Sequence, residues 1–286
     1  MEEKNTHGSI IFSVNKNIIR SALFIPFSVL LNIYSSAQCF TANNVFGDGE
    51  NITYEVSYNW GPVWMEAGLV TFAVNKEKYL GKDTWHLKST GKTYSAYDYF
   101  FKVRDYYDSW IDPQTFHSIE FRRYIYEGNY NLLNTITFDP NRQVAISHTK
   151  TNNNPLRQDT IRLSKCIFDM LSSVYLTRTL NLSDLRPEAR ILVSVLIDDS
   201  VYKIEVRSLG KEVIENRDGQ YYKCIKFTAK MVQGTIFRGN EDVLIWVTDD
   251  DNKIPVYIEA KIIVGSVKAY LIEAKGLKNP MKALIK

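Results

Sequence analysis

The sequence predicts a mainly β protein: a long antiparallel meander forming a strongly curved or barrel-like sheet, with one amphipathic helix near residues 165–180. Three observations predict it. Apolar and polar residues alternate along successive strand-length runs from Asn51 onward. Turn chemistry such as LGKD, IDPQ, YEGN and FDPNR closes those runs. Only KCIFDMLSSVYLTRTL breaks the rhythm, with apolar residues at helical spacing.

The first 37 residues read as a signal peptide. Lys16 and Arg20 precede the apolar run ALFIPFSVLLNIY, which ends in Ser35, Ser36 and Ala37, so cleavage is expected after Ala37. The run contains Pro26 and Asn32 and falls short of the ~20 residues that span a bilayer, so no stable transmembrane segment is expected after cleavage. Cys39 raises lipid attachment as an alternative. Gln38 stands where a lipoprotein signal carries a small residue, and ordinary cleavage is favoured.

Residues 38–50 form a lead-in, 51–276 a single β-rich domain and 277–286 a C-terminal tail. In the first strand Ile52, Tyr54, Val56 and Tyr58 share one face, and Thr53, Glu55 and Ser57 the other. Further strands are expected at 68–75, 83–92, 102–111, 115–127, 130–139 and 143–151, which places seven before the helix. The helix is expected to start from Ser164 as N-cap and to run for about fourteen residues, with Ile167, Met170, Leu171, Val174 and Arg178 on one face. A polar connection, NLSDLRPEA, leads back to strands at 190–198, 200–209, 220–233, 241–248, 253–264 and 267–274. Short turns imply antiparallel neighbours, because a parallel pair needs a crossover of a dozen or more residues. So long a meander must curl or split into two packed sheets.

Composition narrows the function classes. The 286 residues are 45% hydrophobic and 13% aromatic, enough for a full core. Lys and Arg total 35 against 32 Asp and Glu, and no basic block occurs, so nothing marks a nucleic-acid partner. Three cysteines, Cys39, Cys166 and Cys224, allow at most one disulfide within the chain. The favoured reading makes Cys166 and Cys224 buried small hydrophobes.

No cofactor motif is present. Asp249, Asp250 and Asp251 begin like a calcium loop, but Lys253 replaces a ligand and no glycine follows. They fit a hairpin corner, where Asp and Asn bond their own backbone. His86, His117 and His148 fall in separate strands, form no metal motif and are expected to be partly exposed. No nucleophile signature occurs. The notable stretch is TYSAYDYFFKVRDYYDSW, from Thr93 to Trp110, which crowds aromatic rings beside acids and Arg104. It forms either core or the wall of a binding cavity for an amphipathic or glycan-like ligand, with Tyr94, Tyr97, Tyr99, Arg104, Tyr106 and Trp110 as the candidate binding residues. Asp105 and Asp108 are the acid/base candidates of the alternative, an envelope-polymer hydrolase or lyase. A structural partner in an envelope complex is the third reading.

The chain resembles an exported bacterial family known only as domain-of-unknown-function family 3108. The resemblance rests on GENITYEVSYNWGPVWMEAG, TYSAYDYFFKVRDYYDSWID, IFDMLSSVYLTR and IWVTDDDNKIPVYIEAKIIVGSVKAYL. The ending SSAQ is similar to export signals of Bacteroidetes-type bacteria. What the resemblance implies is a β-rich protein of the periplasm or the periplasmic face of the outer membrane, without an established activity. By fold analogy, curved sheets capped by a helix resemble periplasmic carriers of lipids or lipoproteins.

Overall fold

A computed structural model describes residues 45–60, 63–152, 154–181, 184–230, 242–261 and 265–285. The expected signal peptide and Cys39 lie outside them. Gln38–Lys286 forms one compact unit. Its strands are β1 (Asn51–Trp60), β2 (Val63–Tyr79), β3 (Lys82–Thr93), β4 (Arg104–Ile111), β5 (Ser118–Glu127), β6 (Tyr130–Asp139), β7 (Val144–Thr151), β8 (Arg157–Arg162) and β9 (Ile167–Asp169). Helix α1 (Met170–Thr179) follows, then β10 (Arg190–Ile197), β11 (Ser200–Glu215), β12 (Tyr221–Lys230), β13 (Asp242–Thr248), β14 (Pro255–Lys261), β15 (Ser266–Lys275) and β16 (Leu284–Ile285). All the strands join one sheet, in the order β8-β7-β6-β5-β4-β3-β2-β1-β15-β14-β13-β12-β11-β10-β9, with β16 on β12.

The expected curved antiparallel meander is therefore the architecture, with corrections to its strand count, its pairing and its helix. Nine strands rather than seven precede the helix among the described residues. The short β9 pairs in parallel with β10, Ile167 opposite Ser194. A parallel pair needs a long crossover, and α1 with the connection after it supplies one. The helix also starts later than expected. Asp169, not Ser164, caps it, its carboxylate accepting from the amides of Leu171 and Ser172 at 2.8 Å each. Its other oxygen accepts from the buried hydroxyls of Ser109, 2.7 Å, and Ser118, 2.5 Å. Val174 is exposed, whereas Leu171, Ser172, Tyr175, Leu176, Arg178 and Thr179 are buried.

Bulges set the curvature. Between β1 and β2 the register shifts at Val56/Ser57, opposite Gly68, so burial passes from Ile52 and Tyr54 to Ser57 and not to Val56. Gly68 cannot be replaced freely there, because a Cβ would lie 2.1 Å from the Lys92 carbonyl oxygen. The inner apolar residues of β3 to β7, including Leu87, Ile111, Phe121, Ile136 and Ala145, pack with α1 and with Val45 and Phe46 of the lead-in. A second core joins β1 with β12 to β15 through Ile52, Tyr54, Tyr222, Trp246, Val256 and Leu271, and Ile225, Phe227 and Val247 form a smaller third one. The segment after β15 returns to that core with Leu277, Met281 and Leu284 packed against it and Ala283 buried.

The strand order ends at β8 and β9, which do not pair with each other. Side chains cross this seam instead. Asp169 at the end of β9 bonds serines at the end of β4 and the start of β5, and the β10–β11 turn reaches β5 and β8.

Candidate functional site

The β10–β11 turn holds two residues, Asp198 and Asp199, with φ of 47° and 63°. Positive φ at both central positions is the turn that matches strand twist, and Asp tolerates it. Here it aims both carboxylates across the seam, Asp198 at Arg123 of β5 and Asp199 at Arg157 of β8. Between these ion pairs and the strand ends opens a cleft of about 610 Å³. Its polar wall holds Arg123, Thr149, Arg157 and the two aspartates, and its apolar wall Tyr130, Leu132, Pro155 and Leu156.

The polar wall continues a single cross-strand row. Tyr107 stands opposite Arg123, Arg123 opposite Asn134, Asn134 opposite Thr149 and Thr149 opposite Arg157, so all project from the same face of β4 to β8. Asn134 is tied by donating to Ser147 and Thr149 at 3.0 and 2.9 Å. Arg123 differs: its Nε is buried and has no hydrogen-bond partner among the described residues. An unpaired buried guanidinium N–H is costly, and an acceptor arriving in the cleft would relieve that cost.

Next to this row lies Asp105, whose side chain accepts from the Tyr126 amide at 3.2 Å. Burial raises its pKa, and the neighbouring Glu127 adds to the effect by charge and by a hydrogen bond, so that it reaches about 7. Burial also raises the pKa of Tyr107, with Asp105, Arg123, Glu127 and Asp198 as the charges that act on it. Asp105 and Glu127 thus form a carboxyl pair one row from the cleft.

The structure separates the six aromatic-stretch candidates. Tyr94 donates to Glu55 at 2.7 Å, and Arg104 clasps Asp98 at 2.5 Å. Trp110 is buried and stacked between His86 and Tyr79, with centroids at 4.4 and 4.3 Å. Both faces of that indole are covered. Tyr97 lies in the turn between β3 and β4, and Tyr99 at its fully exposed tip. Tyr106 is exposed on the side of β4 opposite Tyr107, beside Tyr124. Arg123, Tyr130 and Leu156 of the cleft were not legible as a site, because only the curl of the sheet brings the β10–β11 turn to β5 and β8.

The histidines were expected to be partly exposed, yet His86 is buried, bonded to Asp108 at 2.7 Å and paired with Glu77 at 3.2 Å. Burial raises the Glu77 pKa, but the Trp110 indole N–H and the charge of His86 outweigh it and hold the carboxyl below its usual range. Asp108 thus serves as a partner of His86 rather than standing in the cleft. Cys166 is not a buried hydrophobe but is half-buried and disulfide-bonded; Cys224 is free and buried.

The acids at 249–251 form the β13–β14 corner. Asp250 accepts from the Thr248 hydroxyl at 2.9 Å, from the amide of Asn252 at 3.0 Å and from that of Ala283 at 3.1 Å. Asp249 pairs with Lys211 and Asp251 with Lys282, each at 2.9 Å. Asn252, fully buried, offers its carbonyl oxygen to Arg178, which also clasps Glu50 through two bonds of 2.6 and 2.9 Å. Among the described residues no group of three or more His, Cys, Asp or Glu is placed to hold a metal ion.

Fold and cleft together define a β-barrel-like protein with a helix against its inner wall and an open cleft at one end. A family model described as "Protein of unknown function (DUF3108)" matches residues 53–272, and the chain belongs to that family. No curated protein matches. Among solved structures, a beta-barrel-like protein of domain-of-unknown-function family 1849 from Brucella abortus is similar in fold, with a TM-score of 0.53 at 6% identity, covering 80% of this chain and 98% of that one. No described helix is long and apolar enough to cross a membrane.

Proposed function

We infer that the protein is exported to the cell envelope, in the periplasm or at the periplasmic face of the outer membrane, and there binds or carries an amphipathic component without chemically changing it. The observation that carries this reading is the cleft, which is lined both by apolar Leu132, Pro155 and Leu156 and by Arg123, whose buried Nε has no hydrogen-bond partner among the described residues. An acidic headgroup satisfies that N–H, and an acyl or isoprenoid chain covers the apolar wall. A glycan is less well served at Trp110, whose ring faces are already stacked. The disulfide at Cys166 supports export, since such bonds persist in oxidising compartments. So does the basic and apolar pattern from Lys16 to Ala37.

The test is to purify the protein from its native envelope and identify by mass spectrometry both its N-terminus and what accompanies it. The expected result is Gln38 at the N-terminus and a stoichiometric amphipath that is lost in Arg123→Gln and Leu156→Asp. An empty wild-type protein, or a ligand retained equally by both variants, refutes the binding reading.

One observation favours the hydrolase or lyase alternative: Asp105, with its raised pKa, sits beside Glu127 as a catalytic acid would. Asp105→Asn separates the two readings. A carrier keeps its ligand in this variant, whereas an enzyme loses turnover of envelope polymer.

A further inference from the structure

The turn between β3 and β4 carries three consecutive aromatic residues into water. Tyr99 is 92% exposed, Phe100 82% and Phe101 56%. The segment is not a loose loop. Backbone bonds from Tyr97 to Tyr94, Phe100 to Tyr97 and Phe101 to Tyr97, of 2.9, 2.9 and 3.0 Å, wind it into tight turns. At its base Asp98 receives the Thr93 hydroxyl at 2.7 Å and the Arg104 guanidinium at 2.5 Å, and the Thr93 oxygen accepts from the Val103 amide at 3.1 Å. The base is therefore polar and braced, while the tip is apolar and largely exposed to water.

The surroundings indicate what covers it. Phe101 lies against Gly128, next to the Tyr130 that lines the cleft, so the tip stands beside the cleft mouth. Below it Tyr106, Tyr124 and Leu133 are direct cross-strand partners and all exposed, which continues the apolar surface down one side of β4 to β6. Around this surface Lys92, Lys102 and Lys150 are exposed and stand in no ion pair among the described residues. Of the nearby acids, Asp98 is paired with Arg104, and Glu127 shares a hydrogen bond with Asp105. Aromatic rings in front with exposed ammonium groups behind, of which that of Lys102 lies over the Tyr126 ring at 5.6 Å, are complementary to a bilayer that presents hydrocarbon beneath anionic headgroups. A convex tip also suits a fluid surface, whereas a protein partner would need a matching pocket.

We propose that Tyr99, Phe100 and Phe101 dock the protein on an anionic lipid bilayer, with Lys92, Lys102 and Lys150 against the headgroups and the cleft mouth at the membrane surface. The inference does not depend on the ligand of the cleft.

Vesicle flotation of Gln38–Lys286 tests it, with neutral phosphatidylcholine vesicles and with vesicles containing an equal part of phosphatidylglycerol. Wild type floats with the anionic vesicles. Replacing the three rings by serine lowers its partition at least about tenfold, since each ring loses most of its buried apolar area. Replacing the three lysines by glutamine lowers partition to anionic vesicles by roughly fivefold per lysine and leaves neutral vesicles unaffected. Unchanged melting curves confirm that the variants fold. Phe100→Trp keeps binding and shifts its emission to the blue only with lipid. The proposal is overturned if wild type stays in the aqueous fraction, if the serine variant floats equally, or if tip-dependent binding is to an envelope protein in the absence of lipid.

Discussion

Replacing Arg178 by Met should remove much of the stability of this protein, and the geometry says how much. Arg178 is buried on α1 and makes two bonds to the carboxylate of Glu50 and two to the Asn252 carbonyl oxygen. Its own charge is favoured despite burial, because Glu50 bonds it. Methionine fills similar volume without those bonds, so Glu50 is left as a buried charge without its counter-ion, a cost of about 3 to 5 kcal/mol. The abandoned Asn252 carbonyl adds about 1 kcal/mol. A domain of this kind holds about 5 to 15 kcal/mol in total, so the variant sits near its unfolding limit. The assay is guanidinium unfolding followed by the β-sheet circular dichroism signal, with Glu50→Leu and the double variant completing a cycle. The double variant should be more stable than Arg178→Met alone by about 2 kcal/mol, because it no longer buries an unpaired carboxylate. Costs that simply add, or a single-variant loss under about 1 kcal/mol, would show that the pair is not coupled as described.

Two more perturbations test the site and the corner. Asp105 is protonated in the folded state up to about pH 7 and in the unfolded chain only to about pH 4, so wild type loses stability as pH rises through that window. Asp105→Asn should match wild type near pH 4 and exceed it above pH 7, by no more than about 2 kcal/mol after discounting for partial exposure; pH-dependent denaturation curves that stay parallel contradict the assignment. Asp249→Asn/Asp251→Asn should cost under about 1 kcal/mol, because both acids sit in exposed pairs, and should melt at the same temperature in calcium as in chelator. Asp250→Ala should cost more, about 2 kcal/mol, since it strips three donors. A calcium-dependent rise of several degrees in wild type that the double variant lacks would make the corner a metal site.

The hairpins were legible because alternation and turn chemistry are local. Tyr130–Asp139 follows from residues that carry their own pattern and turns. β8, with the sequence RQDTIR, was not, since it has no buried face to leave an alternating trace. The helix start differs from the local signal for another reason. Ser164 has the chemistry of a cap, but Asp169 has two serines of β4 and β5 as additional partners, and nothing in the local sequence announces residues more than fifty positions away. The same limit applies to the site. The crowding of rings from Thr93 to Trp110 is visible, yet burial divides it into a stacked Trp110 and a bare Tyr99. Glu50, Arg178 and Asn252 each look ordinary in the sequence and meet only in three dimensions.

That meeting also governs the order in which the molecule can form. Glu50 precedes the first strand, Arg178 ends the helix, Asn252 sits near the last hairpin, and β1 has β15 as its neighbour, Asn51 opposite Lys275. Closing such contacts joins residues separated by most of the chain, and loops of that length are slow to close. Hairpins can zip as they emerge from the ribosome, but β1 cannot gain its second neighbour until the residues of β15 are available. A chain so built remains unclosed, and therefore threadable, for as long as its last turns are missing.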